Sequence, residues 1–328
     1  MPPITIKPAS PVTLRAGLAD IGGLRYLREL LKLAARAWLH RRATRAWLAA
    51  LNAQPLMAEL LQSCPRLMYK IYRPYFSNTM RHEQRVRLLA EHYRFVASHG
   101  LANAVRQAAR GALALGSVSG KSGTPYLLQL CAIGVMEREG ELVLQLRDGR
   151  HVLYSVAFSF LGTGPGMRIC IGCLQGPNHG DSLARLRAAT RDLHGLRPKS
   201  LMLRLVRQLG YDYDCEQLIL VGNENRTVHS ATRQGKVHAD YDAFWLESGA
   251  RRRADGDFEL DCEDLPAPAL EAIASNKRAE ARRRHATLTA MIVALRAGLH
   301  AACAAPPGKA GGGRREPGAD GAFGGIPA

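Results

Sequence analysis

The sequence predicts an α+β protein: a helical N-terminal region, then an antiparallel meander that ends in a β-α-α-β crossover. Three observations predict it. Residues 21–98 repeat apolar side chains at helical spacing, whereas residues 126–174 carry short apolar or alternating runs separated by Glu139-Gly140 and Asp148-Gly149. MRICIGCLQGPNHGD (167–181) then leads from an apolar strand through a Gly/Pro/Asn loop into two amphipathic helices, and QLILV (217–221) supplies the returning strand.

Residues 1–20 read as a flexible lead and residues 21–118 as a basic helical region. Within 21–40, Leu24, Leu27, Leu30, Leu31 and Leu33 with Ala34 and Ala37 form an apolar stripe opposed by Arg25, Arg28, Lys32 and Arg36. A further helix continues through Trp47 and Leu51, and Pro55 and Pro65 punctuate the next segment. Residues 77–98 are expected as another helix, with Ser77 or Asn78 able to cap its start and Gly100 following its end. Strands are expected at 126–135, 141–147 and 152–160. The second places Leu142, Leu144 and Leu146 on one face and Glu141, Val143, Gln145 and Arg147 on the other. The two Gly-containing turns suit antiparallel hairpins. GTGPG (162–166) is a loop before a fourth strand at 167–174. Helices follow at 181–193 and 198–209, the second opening with Pro198 where proline is tolerated. A strand at 217–221, a short helix at 241–247, a hairpin around Asp255-Gly256 and a long basic helix or helix pair over 270–303 complete an α+β core spanning 119–303. The Gly/Pro/Ala-rich tail, 304–328, is expected to be disordered.

The formal charge of +17 is concentrated at one end. Residues 1–118 carry 18 Lys/Arg against 5 Asp/Glu, while 119–260 carry 18 against 16 and 261–328 carry 9 against 7. A surface of this kind favours polyanions: an anionic membrane surface, nucleic acid or an acidic partner. It is equally the solvated face of an Arg- and Ala-rich chain. Seven cysteines without framework spacing argue for a reducing compartment. The first twenty residues lack the apolar core of a secretory signal. The most apolar stretch, 286–295, is half the roughly 20 residues that span a bilayer. These features point to a cytoplasmic protein, peripheral at most to the inner membrane, with no transmembrane segment.

Cys170-Ile-Gly-Cys173 matches C-x-x-C, but inside an apolar strand and without a second pair to complete a metal site, so both read as buried structural cysteines. GTGPG lacks the GK[ST] ending of a phosphate loop and reads as a turn. The segment from Gln175 to Asp181 lies between a strand and a helix. Its backbone around Gly176, Asn178 and Gly180 is placed to hold a pyrophosphate or carboxylate, with Arg197 and Lys199 as supporting cations. Asp181 as an N-cap would occupy the same donors, and the two readings stand side by side. His179 and His194 are the candidate proton acceptors; HGLRPK (194–199) gathers three potential cations in six residues. YKIYRPY (69–75) interleaves aromatic and basic groups, as lipid- and nucleic-acid-binding surfaces do, but reads better as a packing segment.

YRPYFS (72–77), RICIGCLQG (168–176), RAATRDLHGLRPKSLML (187–203), YDAFWLESGARRRADGDFEL (241–260) and SNKRAEARRRH (275–285) together resemble the VirK/YbjX family of Gram-negative bacteria, over roughly residues 55–300. The resemblance implies a role in virulence, in resistance to cationic antimicrobial peptides and in envelope remodelling. It implies no particular catalytic residue. The order of meander, strand, loop, helix and diverging strand is also similar to the GCN5-related N-acetyltransferase fold, which implies an acyltransferase-like core using a coenzyme A thioester. In that fold the loop and helix start hold the coenzyme's pyrophosphate; here Gln175 to Gly180 would occupy that place, without the family's Q/R-x-x-G-x-G/A pattern and with two crossover helices. The reading from the residues alone keeps a non-enzymatic alternative, a module docking through its basic N-terminal region on anionic lipid or nucleic acid.

Overall fold

A computed structural model describes residues 11–177, 182–227 and 240–305. Eight strands form one sheet: β1 (Leu113–Ser119), β2 (Pro125–Ala132), β3 (Leu142–Asp148), β4 (His151–Leu161), β5 (Arg168–Gln175), β6 (Gln217–Leu220), β7 (Arg251–Arg252) and β8 (Phe258–Asp261). Their spatial order is β1-β2-β3-β4-β5-β6-β8-β7. Every neighbouring pair is antiparallel except β5–β6, which is parallel and joined by helices α6 (Ser182–Asp192) and α7 (Pro198–Asp212). The fold is α+β, as the sequence pattern indicates. Before the sheet come α1 (Gly23–Leu39), α2 (Arg41–Ala53), α3 (Pro55–Ser63), a 3-10 helix at Pro65–Tyr72, α4 (His82–Ser98) and α5 (Ala102–Arg110). Later come α8 (Tyr241–Glu247), between β6 and β7, and α9 (Ser275–Ala304).

The alternation of β3 decides which face is apolar. Leu144 lies opposite Leu130 on β2 and Val156 on β4, and that face meets Val105 of α5, Leu209 of α7 and Leu295 and Leu299 of α9. The other face carries Gln129, Gln145 and Ser155 in register. There the Gln129 Nε2 donates to Gln145 Oε1 at 2.6 Å and the Gln145 Nε2 to Ser155 Oγ at 3.0 Å. A buried amide row of this kind is tolerated because its members satisfy one another.

Three expectations are revised and one open alternative is decided. β1 lies where a helical region was expected; its Ala/Gly/Ser-rich sequence hides the strand, and Gly116 makes a bulge at φ 151 with its side-chain position against Ala294 of α9. β2 stops at Ala132, not at 135, because Ile133 and Met136 adopt left-handed backbone (φ 52 and 51). α4 begins at His82, not at 77. The Ser77 hydroxyl serves a local turn, accepting the Thr79 N–H at 3.3 Å, and the helix is closed instead by the Gln84 side chain accepting the Arg81 N–H at 2.7 Å. Finally, α9 is one continuous helix of 30 residues. By length and composition alone it is long and apolar enough to cross a bilayer, a test that the core helix of a soluble protein also passes. Its apolar positions Leu288, Met291, Ile292, Leu295 and Leu299 are packed inward, and at Gly298 the helix meets the Leu115 carbonyl so closely that a Cβ would overlap it.

Candidate functional site

β5 and β6 pair in parallel from Arg168↔Gln217 to Ile171↔Leu220, and the Val221 N–H reaches the Ile171 carbonyl at 3.1 Å. At Gly172 the β4–β5 register slips: Ala157 lies opposite Cys173, and Phe158 opposite Ile171. Only glycine fits this bulge, since a Cβ would overlap the Glu139 carbonyl oxygen. Beyond it Cys173, Leu174 and Gln175 stay with β4 but have no β6 partner. Backbone groups released this way in the interior require another partner. They find it in one side chain. The Tyr241 hydroxyl accepts the Leu174 N–H at 2.8 Å and donates to the Leu174 carbonyl at 2.9 Å, with the Cys173 sulfur 3.2 Å away. The buried Arg226 guanidinium lies 3.9 Å from the centre of the Tyr241 ring. Tyr241 thus closes the divergence like a short strand.

Beside it opens a cleft of about 260 Å³ between the start of α7 and α8, lined by Arg197, Lys199, Ser200, Asp240, Phe244 and Glu247. Arg197 pairs with Glu247 at 2.9 Å, both partners exposed. The Lys199 ammonium lies 3.9 Å over the Phe244 ring, and burial holds its pKa below the ordinary lysine value. Asp240 caps α8 by accepting the Ala243 N–H at 3.2 Å and also takes the Asn223 amide at 2.8 Å; these hydrogen bonds hold its carboxyl below the usual range.

The structure brings Arg197 and Lys199 into this one cleft and places Gln175 at the end of β5. Gly176 follows, with the Tyr154 ring 2.8 Å from where its Cβ would be. Asn178, His179, Gly180 and Asp181 lie outside the described residues. His194 does not join the cleft. It turns the chain between α6 and α7 at φ 55, and its carbonyl accepts from Arg284 of α9 at 3.0 Å. Its neighbour Asp192 is tied to the β1–β2 turn through the Ser122 N–H at 2.6 Å and the Tyr126 hydroxyl at 2.9 Å. The six-residue cation cluster is therefore split, because a left-handed residue and Pro198 reverse the chain within it. The GTGPG donors are also engaged: the Gly162 N–H goes to Glu91 at 3.0 Å and that of Gly166 to Glu216 at 2.8 Å. Burial pushes the Cys170 and Cys173 thiols up to about 12, which suits structural cysteines and not a redox pair. Tyr69, Lys70 and Ile71 are buried, so YKIYRPY is largely a packing segment.

That segment also holds a feature sequence spacing does not reveal. The Glu141 carboxylate, fully buried just before β3, is ion-paired with the buried Lys70. It accepts the Tyr75 hydroxyl at 2.7 Å and the Tyr93 hydroxyl at 2.5 Å, while the Glu141 N–H donates to Ser159 Oγ at 3.0 Å. Burial pushes the carboxyl up, but the Lys70 and His92 charges and the hydrogen bonds from Lys70 and Tyr93 outweigh it and hold it below its ordinary value. His92, wholly buried, accepts the Phe160 N–H at 3.1 Å, and burial lowers its pKa to about 4. The opening beside the cluster, between Arg66, Arg73, Glu137 and Arg138, is about 10 Å³, water-sized at most. The cluster joins the 3-10 helix, α4, β3 and β4; its chemistry is that of a buried polar lock between the helical region and the sheet.

A family model described as "Protein of unknown function (DUF535)" matches residues 22–297. The Escherichia coli (strain K12) "Uncharacterized protein YbjX" is 29% identical over 265 residues, 79% of this chain and 80% of that protein. An uncharacterized protein of Haemophilus influenzae is 27% identical over 158 residues, 47% of this chain and 51% of its own length. A second from the same organism is 28% identical over 152 residues, 46% and 49% of the respective chains. No solved structure matches. Because the family match runs from α1 through the whole sheet and into α9, this chain belongs to the DUF535 family, the VirK/YbjX group.

Proposed function

We propose that the protein serves the Gram-negative envelope as a VirK/YbjX-type factor and does so through an acyl transfer centred on the end of β5. The observation that carries the reading is the divergence of the parallel β5–β6 pair after the bulge at Gly172, beside a cleft holding Arg197 and Lys199. An antiparallel meander, a parallel crossover and a last strand, β8, inserted between β6 and β7 support the likeness to the acyltransferase topology. An extended, amide-bearing thioester offers the same donor–acceptor pair to Leu174 that the Tyr241 hydroxyl now supplies, as an added strand does. Arg197 and Lys199, with Gln175, Gly176 and the segment containing Asn178 and Gly180, would receive a diphosphate; His179 would take the proton from an acceptor amine as its nitrogen bonds the thioester carbonyl carbon, and would return it to the coenzyme A thiolate released when the C–S bond breaks. His194, whose backbone carbonyl is bonded to Arg284 of α9, does not line the cleft and has no part in this arrangement.

Calorimetric titration of the full chain with coenzyme A tests the reading. The expected result is saturable binding, weakened about tenfold or more in Arg197→Ala because a charge-assisted contact to phosphate is lost. Glu247→Gln, which frees Arg197 from its ion pair, should bind more tightly. Absence of binding by the intact protein, or equal binding by Arg197→Ala, overturns the proposal.

A further inference from the structure

We propose that α1 is an interfacial membrane helix, seated by its outward apolar stripe and adjoining cationic edge on an anionic bilayer surface. The helix has three faces. Tyr26, Leu30, Leu33 and Ala37, at spacings of four, three and four, turn toward the protein, and Leu33 is fully buried. Leu24, Leu27, Leu31 and Trp38, joined by Ala34 and Ala35, form a second stripe about 100° away that nothing in the described structure covers. Leu24 is 90% exposed, Leu31 63% and Trp38 77%. Arg25, Arg28, Lys32 and Arg36 occupy the third face, all exposed. Of the nine large hydrophobic side chains exposed among the described residues, five belong to α1, which makes this a patch and not a scatter of single residues.

Charge identifies the occupant. Between residues 24 and 45 the chain carries seven Lys/Arg and one acidic residue, Glu29, which is engaged by Arg28 and Lys32 at 3.2 Å. Arg41, Arg42 and Arg45 of α2 continue the cationic edge past Trp38. A second copy of the chain docked about a two-fold axis would set the cationic edges against each other. Nucleic acid would reward the arginines but leave the Leu/Trp stripe in water. A bilayer with anionic head groups satisfies both at once: the stripe sinks to the acyl boundary while Arg and Lys stretch to the phosphates, and tryptophan favours that depth. From Leu24 to Trp38 the stripe is about 21 Å long, enough to lie in the interface and too short to span it. This inference is independent of the acyl-transfer reading.

Trp47 and Trp245 are fully buried, so a change in tryptophan emission on adding vesicles reports Trp38. The full chain is mixed with phosphatidylcholine vesicles with and without phosphatidylglycerol, over a salt series. Co-sedimentation only with the anionic vesicles, weakened by salt and accompanied by a blue shift, is expected. Leu27→Glu/Leu31→Glu, which alters two exposed positions and is expected to keep the parent's circular dichroism spectrum, should reduce the bound fraction about tenfold or more, because it places charge at the acyl boundary. Arg28→Gln/Lys32→Gln should flatten the salt dependence. Binding unchanged in the Leu27→Glu/Leu31→Glu variant, a dimer that this variant dissolves, or binding to duplex DNA in preference to vesicles would each overturn the assignment.

Discussion

Replacing Lys70 by Met tests whether Glu141 is held as a buried anion. Methionine keeps the length of the lysine stem but withdraws the ammonium from a carboxylate whose side chain is 0% exposed, with Lys70 itself at 6%. Tyr75, Tyr93 and Ser159 remain, so hydrogen bonds persist and the charge alone is orphaned. Breaking one partner of a buried pair costs about 3–5 kcal/mol, and for a chain of this size that lowers the melting temperature by roughly 4–7 °C. The double variant Lys70→Met/Glu141→Gln removes both charges and should recover to within about 1–2 kcal/mol of the parent. The pH dependence must also change sign. In the parent, the Glu141 carboxyl lies below its ordinary value, so its stabilisation is present above the unfolded pKa and is lost as pH falls through the folded one. Without Lys70, burial dominates and raises that pKa, so the variant gains stability as pH falls from neutrality, whereas the Glu141 contribution in the parent holds until pH reaches the ordinary carboxyl value and is lost below it. Denaturant titration followed by circular dichroism from neutral pH to below the ordinary carboxyl value measures both quantities. A loss under about 1 kcal/mol with an unchanged pH slope would refute a buried ion pair, since the desolvated charge would then have cost nothing.

His92 provides a second pH-dependent element. Its folded pKa of about 4 lies below the ordinary 6.5, so the unfolded chain binds a proton that the native state refuses; stability should fall as pH drops through that window by up to about 3 kcal/mol. His92→Gln should abolish that component, and an imidazole resonance titrating near its ordinary value would contradict the assignment. Gly172→Ala drives a Cβ into the Glu139 carbonyl and is expected to destabilise by about 1–3 kcal/mol or more, whereas Gly164→Ala, in open space at φ 83, should cost about 1 kcal/mol; thermal denaturation ranks the two. Tyr241→Phe strips the Leu174 N–H and carbonyl of the hydroxyl that satisfies both and should cost about 1–3 kcal/mol, with faster hydrogen exchange at Leu174 as the local readout.

Local chemistry carries the legible part of the molecule. Alternating Leu142, Leu144 and Leu146, with Asp148-Gly149 at the turn, state β3 and its hairpin outright, because period-two apolarity has no helical solution. The crossover reads equally well, since Pro198 opens α7 where its missing N–H costs nothing. β1 was hidden because LALGSVS offers no alternation, and its strand exists only through pairing with β2 and cover from α9. The start of α4 was displaced because Ser77 spends its hydroxyl on a local turn.

Periodicity, turn residues and composition read along the chain state the α+β class, most of the element order and the basic N-terminal third, while the ordered motif blocks carry the resemblance to the family. Tertiary structure alone decided the sites. Residues 70, 75, 93, 141 and 159 have no common spacing, yet a single buried carboxylate gathers them, because an ion removed from water must collect its partners from whatever elements surround it. His194 and Arg197 are three residues apart, and a left-handed turn sends one toward α9 and the other into the cleft. On α1 the sequence contains enough leucine for two apolar faces. Which face meets the protein, and which is left outside beside the arginines, depends on the packing of α1 against its neighbours, a relation that no window along the chain contains.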